Sequence, residues 1–297
     1  MGDDAVSQSG RQFWAGVLFC APWLIGLCLF HLYPLGLSIY FSLSDYSVLS
    51  PPIFIGIQNY TDLLNDATFL HSLKVTIKYA IIFLPVSTLF ALFAALMLNL
   101  AGRMTGPLRV IFFIPSLVPL VALGILGEWV FNGRIGIVNY IIGSIGLPTP
   151  NWLNDPNFAP WALAFTATWG VGHAVVIYTA AIVGLPQTLY EAADIDGARW
   201  YHKLFHITLP MISPAIYFNV IMGCIGVLQI FALPYVMTGP GPARSTYFYT
   251  MYLFDVAFQY LQMGYACALA WVLFLLILGL TVIAHKTMNR HVYYMGK

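Results

Sequence analysis

The side chains best spaced for chemistry lie in one short stretch. From Leu185 to Pro210 the chain reads Leu-Pro-Gln-Thr-Leu-Tyr-Glu-Ala-Ala-Asp-Ile-Asp-Gly-Ala-Arg and runs on to Ile207-Thr208-Leu209-Pro210. Four charged residues, Glu191, Asp194, Asp196 and Arg199, fall within nine positions of a chain that is only 8% charged. Asp194-x-Asp196 and Asp62-x-x-x-Asp66 are the two carboxylate pairs spaced to hold a metal or share a proton, and His202 and His206 are an i,i+4 pair with no acidic third ligand beside them. This set is thin for an enzyme: no metal site and no catalytic group are expected. No G-x-x-x-x-G-K-[ST] occurs, and the sole Gly-Lys is Gly296-Lys297, so the chain does not hydrolyse ATP. Cys20, Cys28, Cys224 and Cys267 sit in apolar runs without CxxC or Cys/His spacing.

The charged stretch needs a helix to present it. Thr188-x-x-Glu191 is a capping-box spacing, which predicts a hydroxyl bonded to the Glu191 N–H and a carboxylate returned to the Thr188 N–H. Two turns follow over 189–196, and Gly197 supplies the left-handed position after the last turn. Leu185, Leu189, Ala192 and Ala193 share a face. A second helix carries Trp200, Leu204 and Ile207 on one stripe, Leu209-Pro210 is expected to break it, and Ser213-Pro214 to open the next element. Asp194 is expected to be a solvated charge.

The rest of the chain is apolar enough to settle where those helices sit. It has 297 residues, of which 60% are hydrophobic, and mean hydropathy is +0.81. Twenty-three charges cannot solvate the surface of a soluble protein of that size, and disorder needs the opposite composition. The net charge of +1 removes a general electrostatic case for nucleic acid. Six runs, near 13–40, 72–100, 108–131, 160–184, 212–237 and 263–284, are long enough to cross a bilayer as helices. Strands cannot cross, because an open sheet edge is unsatisfied in lipid. The first run is too long for a signal peptide and has no small-residue cleavage site, so it is expected to stay as a span.

With both termini in the cytoplasm, Arg11, Arg103, Arg109, Arg199, Lys203, Lys286, Arg290 and Lys297 lie inside, and Lys74, Lys78, Arg134 and Arg244 lie outside or at the outer interface. The outer loops are 45–70, polar between Asn59 and Asp66, and 132–159, whose apolar run 135–142 is too short to span and suits an interfacial helix. Trp152 and Trp161 are expected as interfacial anchors. The segment 238–245 holds Gly239-Pro240-Gly241-Pro242, a turn. Ser87, Ala91 and Ala95 form a small-residue ladder for close helix packing. Pro22, Pro34, Pro85, Pro115, Pro119 and Pro234 lie in or near spans, where kinks free carbonyls. Trp129, Asn132, Trp169, His173, Tyr178, Asn219, Gln229 and Asp255 are the aromatic, amide and acidic groups placed to contact a polar solute. Glu128 is expected near the outer water.

The pattern Glu191-Ala192-Ala193, three residues, Gly197, nine residues, Ile207-x-Leu209-Pro210 resembles the EAA loop of the inner-membrane subunits of binding-protein-dependent ABC importers. Asp194-Ile195-Asp196-Gly197-Ala198 is similar to the sugar permeases of the maltose type. Taken over the chain, the likeness extends to permeases of alginate-oligosaccharide importers, although no particular residue carries that substrate. Arg109 to Pro115, Gly136-Ile137-Val138-Asn139, Asn151-Trp152-Leu153, Trp169-Gly170 and Gly184-Leu185-Pro186 carry the likeness further, over about 70–285. The resemblance implies an all-α type I importer fold of six membrane helices. Its parts would be a tail, first span and periplasmic loop over 1–70, a permease core over 71–285 with the coupling loop at 185–210, and a cytoplasmic tail over 286–297. It implies that Glu191, Ala192, Ala193, Asp196, Gly197, Leu209 and Pro210 serve coupling to an ATPase. It implies no cofactor on this chain, since ATP and Mg belong to the ATPase. The implied partners are a second permease, two cytoplasmic ATPases, a periplasmic solute-binding protein, a carbohydrate substrate and the lipid of the bacterial inner membrane. Three other classes remain open from the residues, one of them a pure assembly or scaffold subunit. An ion-coupled secondary transporter would want acids at mid-membrane, and none is clearly central. A membrane-embedded enzyme would need more than the two carboxylate pairs.

Overall fold

A computed structural model describes residues 3–288, with side chains described over 13–287 except that of Arg103. Arg290 and Lys297 of the inside charge tally lie outside the described residues, as do the side chains of Arg11 and Arg103 and most of the tail 286–297. The chain divides into two compact units, Met1–Asn65 with Asp255–Val272, and Asp66–Phe254 with Leu273–Lys297.

In the first unit, helix α1 (Asp3–Leu27) passes through a π turn, Cys28–Leu32, into α2 (Tyr33–Ser42). Phe13–Ser42 is a continuous 30-residue span whose most apolar window has nothing buried, as a helix bathed in lipid would be. Pro22 and Pro34 are absorbed without ending it. The loop that follows is more ordered than its composition predicts. Strands β1 (Ser44–Ser47) and β2 (Ser50–Phe54) pair as an antiparallel hairpin, and α3 (Gln58–Asn65) follows. The hairpin lies outside the spans, so the exclusion of membrane strands stands. Buried Asn59 holds the hairpin to α2 by donating to Ser42 O at 2.9 Å and Ser44 O at 3.0 Å. Trp271 Nε1 donates to Ser38 Oγ at 3.1 Å.

The second unit is built around α4 (Ala67–Leu100), 34 residues with Pro85 inside it. Asp66 caps it by accepting from Thr68 N at 2.7 Å, which accounts for one carboxylate of the Asp62/Asp66 pair. After α4 come α5 (Thr105–Phe113), α6 (Leu120–Val130), the short α7 (Ile137–Ser144), α8 (Ala159–Trp169) and α9 (Gly172–Val183), of which α5, α8 and α9 pack on α4. Next come α10 (Gln187–Ile195), α11 (Trp200–Lys203), a π turn Leu204–Thr208, α12 (Leu209–Met211), α13 (Ser213–Leu228), α14 (Ala232–Met237) and α15 (Tyr249–Phe254). The last helix is α16 (Met263–Met288).

The expected small-residue ladder is the core of this unit. Ala91 and Ala95 are fully buried and Ser87 nearly so; with Ala94 and Leu98 they pack against Val175, Tyr178 and Ile182 of α9 and against Ile212. Methyl side chains let α4 and α9 approach closely, so a dry interface forms in a medium where burial of apolar surface gives no drive between helices.

Three of the six apolar runs are continuous spans and two are bent pairs; the third bent pair, Trp200–Met211 with Ser213–Leu228, starts before the expected run 212–237 and stops short of its end. The run 108–131 is corrected most. It divides into Thr105–Leu117 and Leu120–Val130 at 99°, and a half of 11 or 13 residues is too short to cross a core of ~30 Å unaided. The cause is local: Pro119 holds extended backbone (φ −56°, ψ 137°) as the N-cap of α6, and Ile114–Leu117 tightens to a 3-10 turn. The run 160–184 bends by 52° at Gly170-Val171. Gly172 permits the close crossing there, since a Cβ on it would lie 2.5 Å from Phe112 O. The run 212–237 also breaks. Helix α13 stops at Leu228, Phe231 is non-helical (φ −137°, ψ −63°), and α14 restarts before Pro234. The Ile230 carbonyl freed by that break accepts from the Thr250 hydroxyl.

Candidate coupling helix and transport cleft

Helix α10 corrects the expected cap. It begins at Gln187, with Pro186 as N-cap and no side-chain cap bond, so Thr188 and Glu191 do not form a capping box. Proline at the cap fixes φ and starts the helix two residues earlier than the Thr-x-x-Glu pattern implies. Glu191 is exposed and, among the described residues, makes no hydrogen bond or ion pair, which leaves its carboxylate available. The C-terminus is as expected. Gly197 has φ +73°, its N–H bonds Asp194 O at 3.1 Å, and Ala198 N–H bonds Ala193 O at 2.8 Å, the paired bonds of a Schellman ending.

Asp194 is not merely solvated: Lys203 Nζ donates to its Oδ1. The helix after it does not break at Leu209-Pro210. It runs from Trp200 to Met211 through the π turn, and the 63° bend comes at Ile212. Pro210 sits within the first turn of α12, where its missing N–H is tolerated; Ser213 is the first residue of α13, with its hydroxyl turned back to Pro210 O at 2.6 Å.

The seven residues expected at the coupling loop therefore separate by depth. Glu191, Ala192, Asp196 and Gly197 are exposed on α10, and Ala193 is half-buried. Leu209 packs on the Ala91/Ala95 cluster, as does Leu185 at the other end of the segment, and Pro210 lines an open groove of about 640 Å³ beside Leu189 and His206. The exposed helix is thus anchored at both flanks to the core formed by α4 and α9. Ile195 was missed as a site residue. It is 87% exposed on α10, and Trp200 and Phe205 beyond it are 75% and 61% exposed. Its signal was an isoleucine between two aspartates, where an amphipathic helix would carry a polar residue.

At the opposite end of the bent α8/α9 pair lies a polar cleft of about 670 Å³, lined by Glu128, Asn132, Arg134, Thr149, Asn151, Asn154 and Thr238 among others. Asn132 Oδ1 accepts from Arg134 N at 2.9 Å and Ile135 N at 3.2 Å, so one side of this candidate holds its own loop. Trp152 is corrected from an interfacial anchor to a strut. Its Nε1 donates to Asn139 Oδ1 at 2.8 Å, Asn139 Nδ2 reaches Gly133 O and Pro150 O at 3.0 Å each, and its ring packs edge-on to Phe131 and Phe158.

A third recess lies deeper, an open cleft of about 500 Å³. Gly170, Gly223, Gly226 and Ala167 floor it, Phe83 and Phe231 offer ring faces, and Gln229 sits in the unwound turn between α13 and α14. Irregular backbone at membrane depth is tolerated where it lines a cavity. Of the eight solute-contact candidates, Gln229 alone lies here. Trp129 is 69% exposed, and Trp169 is half exposed over a smaller apolar recess with Phe165. His173 meets Phe113 edge-on at 5.2 Å. Tyr178 is fully buried in the core cluster, its hydroxyl without a partner among the described residues. Asn219 donates to Ala215 O of its own helix at 3.0 Å. Asp255 lies in the first unit, accepting from Gln259 Nε2 at 2.7 Å. Phe83 and Phe231 were not foreseen, because nothing in the apolar run marks the break that turns Phe231 inward except Pro234 three residues on.

Among the described residues no group of three or more metal-ligating side chains occurs. Residues 87–289 match the family model described as "Binding-protein-dependent transport system inner membrane component", and the chain belongs to that family of ABC importer permeases. It is 34% identical to the "Probable ABC transporter permease protein YesP" of Bacillus subtilis, over 100% of this chain and 98% of that one. It is 36% identical to the sulfoquinovosyl glycerol transport system permease protein SmoG of Agrobacterium fabrum, over 90% and 88%. The fold is that of a bacterial ABC transporter involved in the import of the acidic polysaccharide alginate, with TM-score 0.84 at 21% identity over 99% and 100% of the chains. The type I importer permease fold and the inner membrane are thereby established; the resemblance read from residues 185–210 identified the same family.

Proposed function

We propose that this chain is the membrane subunit through which a neutral oligosaccharide passes, with α10 docked on a separate cytoplasmic ATPase and both termini on that same side. A second permease, a pair of ATPases and an external binding protein complete the transporter. The observation that carries the reading is α10 itself, a nine-residue helix that exposes Glu191, Ala192 and Ile195 while its flanks, Leu185 and Leu209, are packed into the core. A helix so anchored moves with α4 and α9 when it is pushed. Nucleotide binding at the ATPase would then bias the membrane helices between two arrangements.

The deep cleft supports a sugar substrate. Ring faces at Phe83 and Phe231 suit the apolar faces of pyranose rings, and the Gln229 amide can donate to and accept from hydroxyls. This chain's share of the lining holds no cation to pair with a uronate carboxylate, so a neutral sugar fits it better than alginate. The Thermococcus litoralis trehalose/maltose permease MalF is named for saccharide transport, in keeping with this reading, whereas SmoG is named for a glycoside that carries a sulfonate. The polar cleft at the far end from α10 would be the mouth at which solute arrives.

The test is reconstitution in vesicles of the whole transporter with its binding protein, assayed against neutral and uronic oligosaccharides. ATP-dependent uptake of a neutral sugar supports the proposal. Uptake driven by an ion gradient without ATP would overturn it.

A further inference from the structure

We propose that Tyr190 and Asp194 are positioning residues for coupling, which lock α10 onto the helical segment Trp200–Met211, Asp194 by holding the Lys203 side chain and Tyr190 by holding Thr208, which in turn bonds the Lys203 carbonyl. The proposal deepens the coupling reading and rests on it. Tyr190 and Asp194 are four residues apart, so their side chains leave α10 on one face. Lys203 Nζ donates to Asp194 Oδ1. The Thr208 hydroxyl donates to the Lys203 carbonyl at 3.3 Å, and the Tyr190 hydroxyl lies 2.9 Å from Thr208 Oγ1. With the Thr208 proton committed to that carbonyl, Tyr190 is the donor and Thr208 the acceptor.

The π turn makes this circuit possible. In an unbroken α-helix, residues five apart point about 140° away from each other. The turn Leu204–Thr208, closed by Leu209 N–H on Leu204 O, brings Thr208 round to the Lys203 carbonyl. Single π turns inside helices are frequent at functional sites. Thr208 is 6% exposed, whereas the Asp194 side chain is 64% exposed. An exposed ion pair adds little to folding stability, so stability alone does not account for this pair. Two grips one turn apart prevent α10 from swinging between Pro186 and Gly197. A push on the exposed face then reaches α12 and α13 through Lys203 instead of being lost in the connection 196–199.

The test uses the complete transporter in vesicles, with solute imported per ATP hydrolysed as the readout and ATPase co-purification as the control. Asp194→Lys and Lys203→Asp are each expected to lower that ratio about two- to fivefold, the range open to an exposed pair. The double variant Asp194→Lys/Lys203→Asp restores it. Tyr190→Phe and Thr208→Val lower the ratio, and Thr208→Ser keeps it. ATPase co-purification stays at the wild-type level throughout. Unchanged ratios in the single reversals, or a double variant no better than the worse single, would overturn the brace. A wild-type chain that retains no ATPase would overturn the coupling reading, and the brace with it.

Discussion

At the residue scale, Gly197 and Glu191 do different work on one helix. Gly197 holds φ +73°, where a Cβ meets nothing but the backbone conformation itself costs about 1–2 kcal/mol for other residues. Gly197→Asp is therefore expected to distort the end of α10 and abolish uptake while membrane insertion stays intact, checked by vesicle transport beside a membrane-fraction blot. Glu191→Lys leaves the helix unchanged, since that carboxylate has no partner within the described chain, and is expected to weaken ATPase retention. Normal binding-protein-stimulated ATPase activity in both variants would reject the assignment. Tyr178 gives the opposite expectation. Its buried hydroxyl lacks a partner, so Tyr178→Phe removes an unsatisfied polar group and should leave uptake unchanged with thermal stability equal or slightly raised.

At the scale of elements, the two interfaces that set the core and the cleft respond to added volume in different ways. Ala91 is fully buried against α9, so Ala91→Leu is expected to cost about 1–3 kcal/mol and lower the melting temperature of the purified protein. Gly226 borders the deep cleft and a Cβ there meets nothing within 4 Å, so Gly226→Leu should fold normally and obstruct uptake. Equal effects of the two on stability would place Gly226 in packed protein rather than at a cavity. The same contrast shows what composition conveys. Hydropathy marks six apolar runs because lipid exposure demands them, and the ladder Ser87/Ala91/Ala95 marks a close interface because small side chains have little other use there. The break at Pro119 is local, whereas those at Gly170 and Phe231 are set by tertiary partners, such as Thr250 on the Ile230 carbonyl, and no local pattern announces those two. The capping box failed for a related reason: Pro186 preceded it and started the helix first.

For the whole molecule, the separate motor is the central claim. The proposed function depends on where α10 points and what covers Ile195. In the residues, the family was legible from the spacing of Glu191, Gly197 and Pro210, because a docking helix must keep its length and its exit turn. The solute was much less legible: the cleft joins residues from α4, α6, α8, α13 and α14 whose adjacency exists only in the fold. Replacing the four cysteines by serine and introducing Ile195→Cys allows the claim to be measured in intact cells. The account predicts that an impermeant thiol reagent added outside leaves Cys-substituted position 195 unlabelled, and that an oxidant links it to a cysteine placed in the ATPase's receiving groove. Labelling from outside the cell, or no link to the ATPase in an actively transporting membrane, would contradict it.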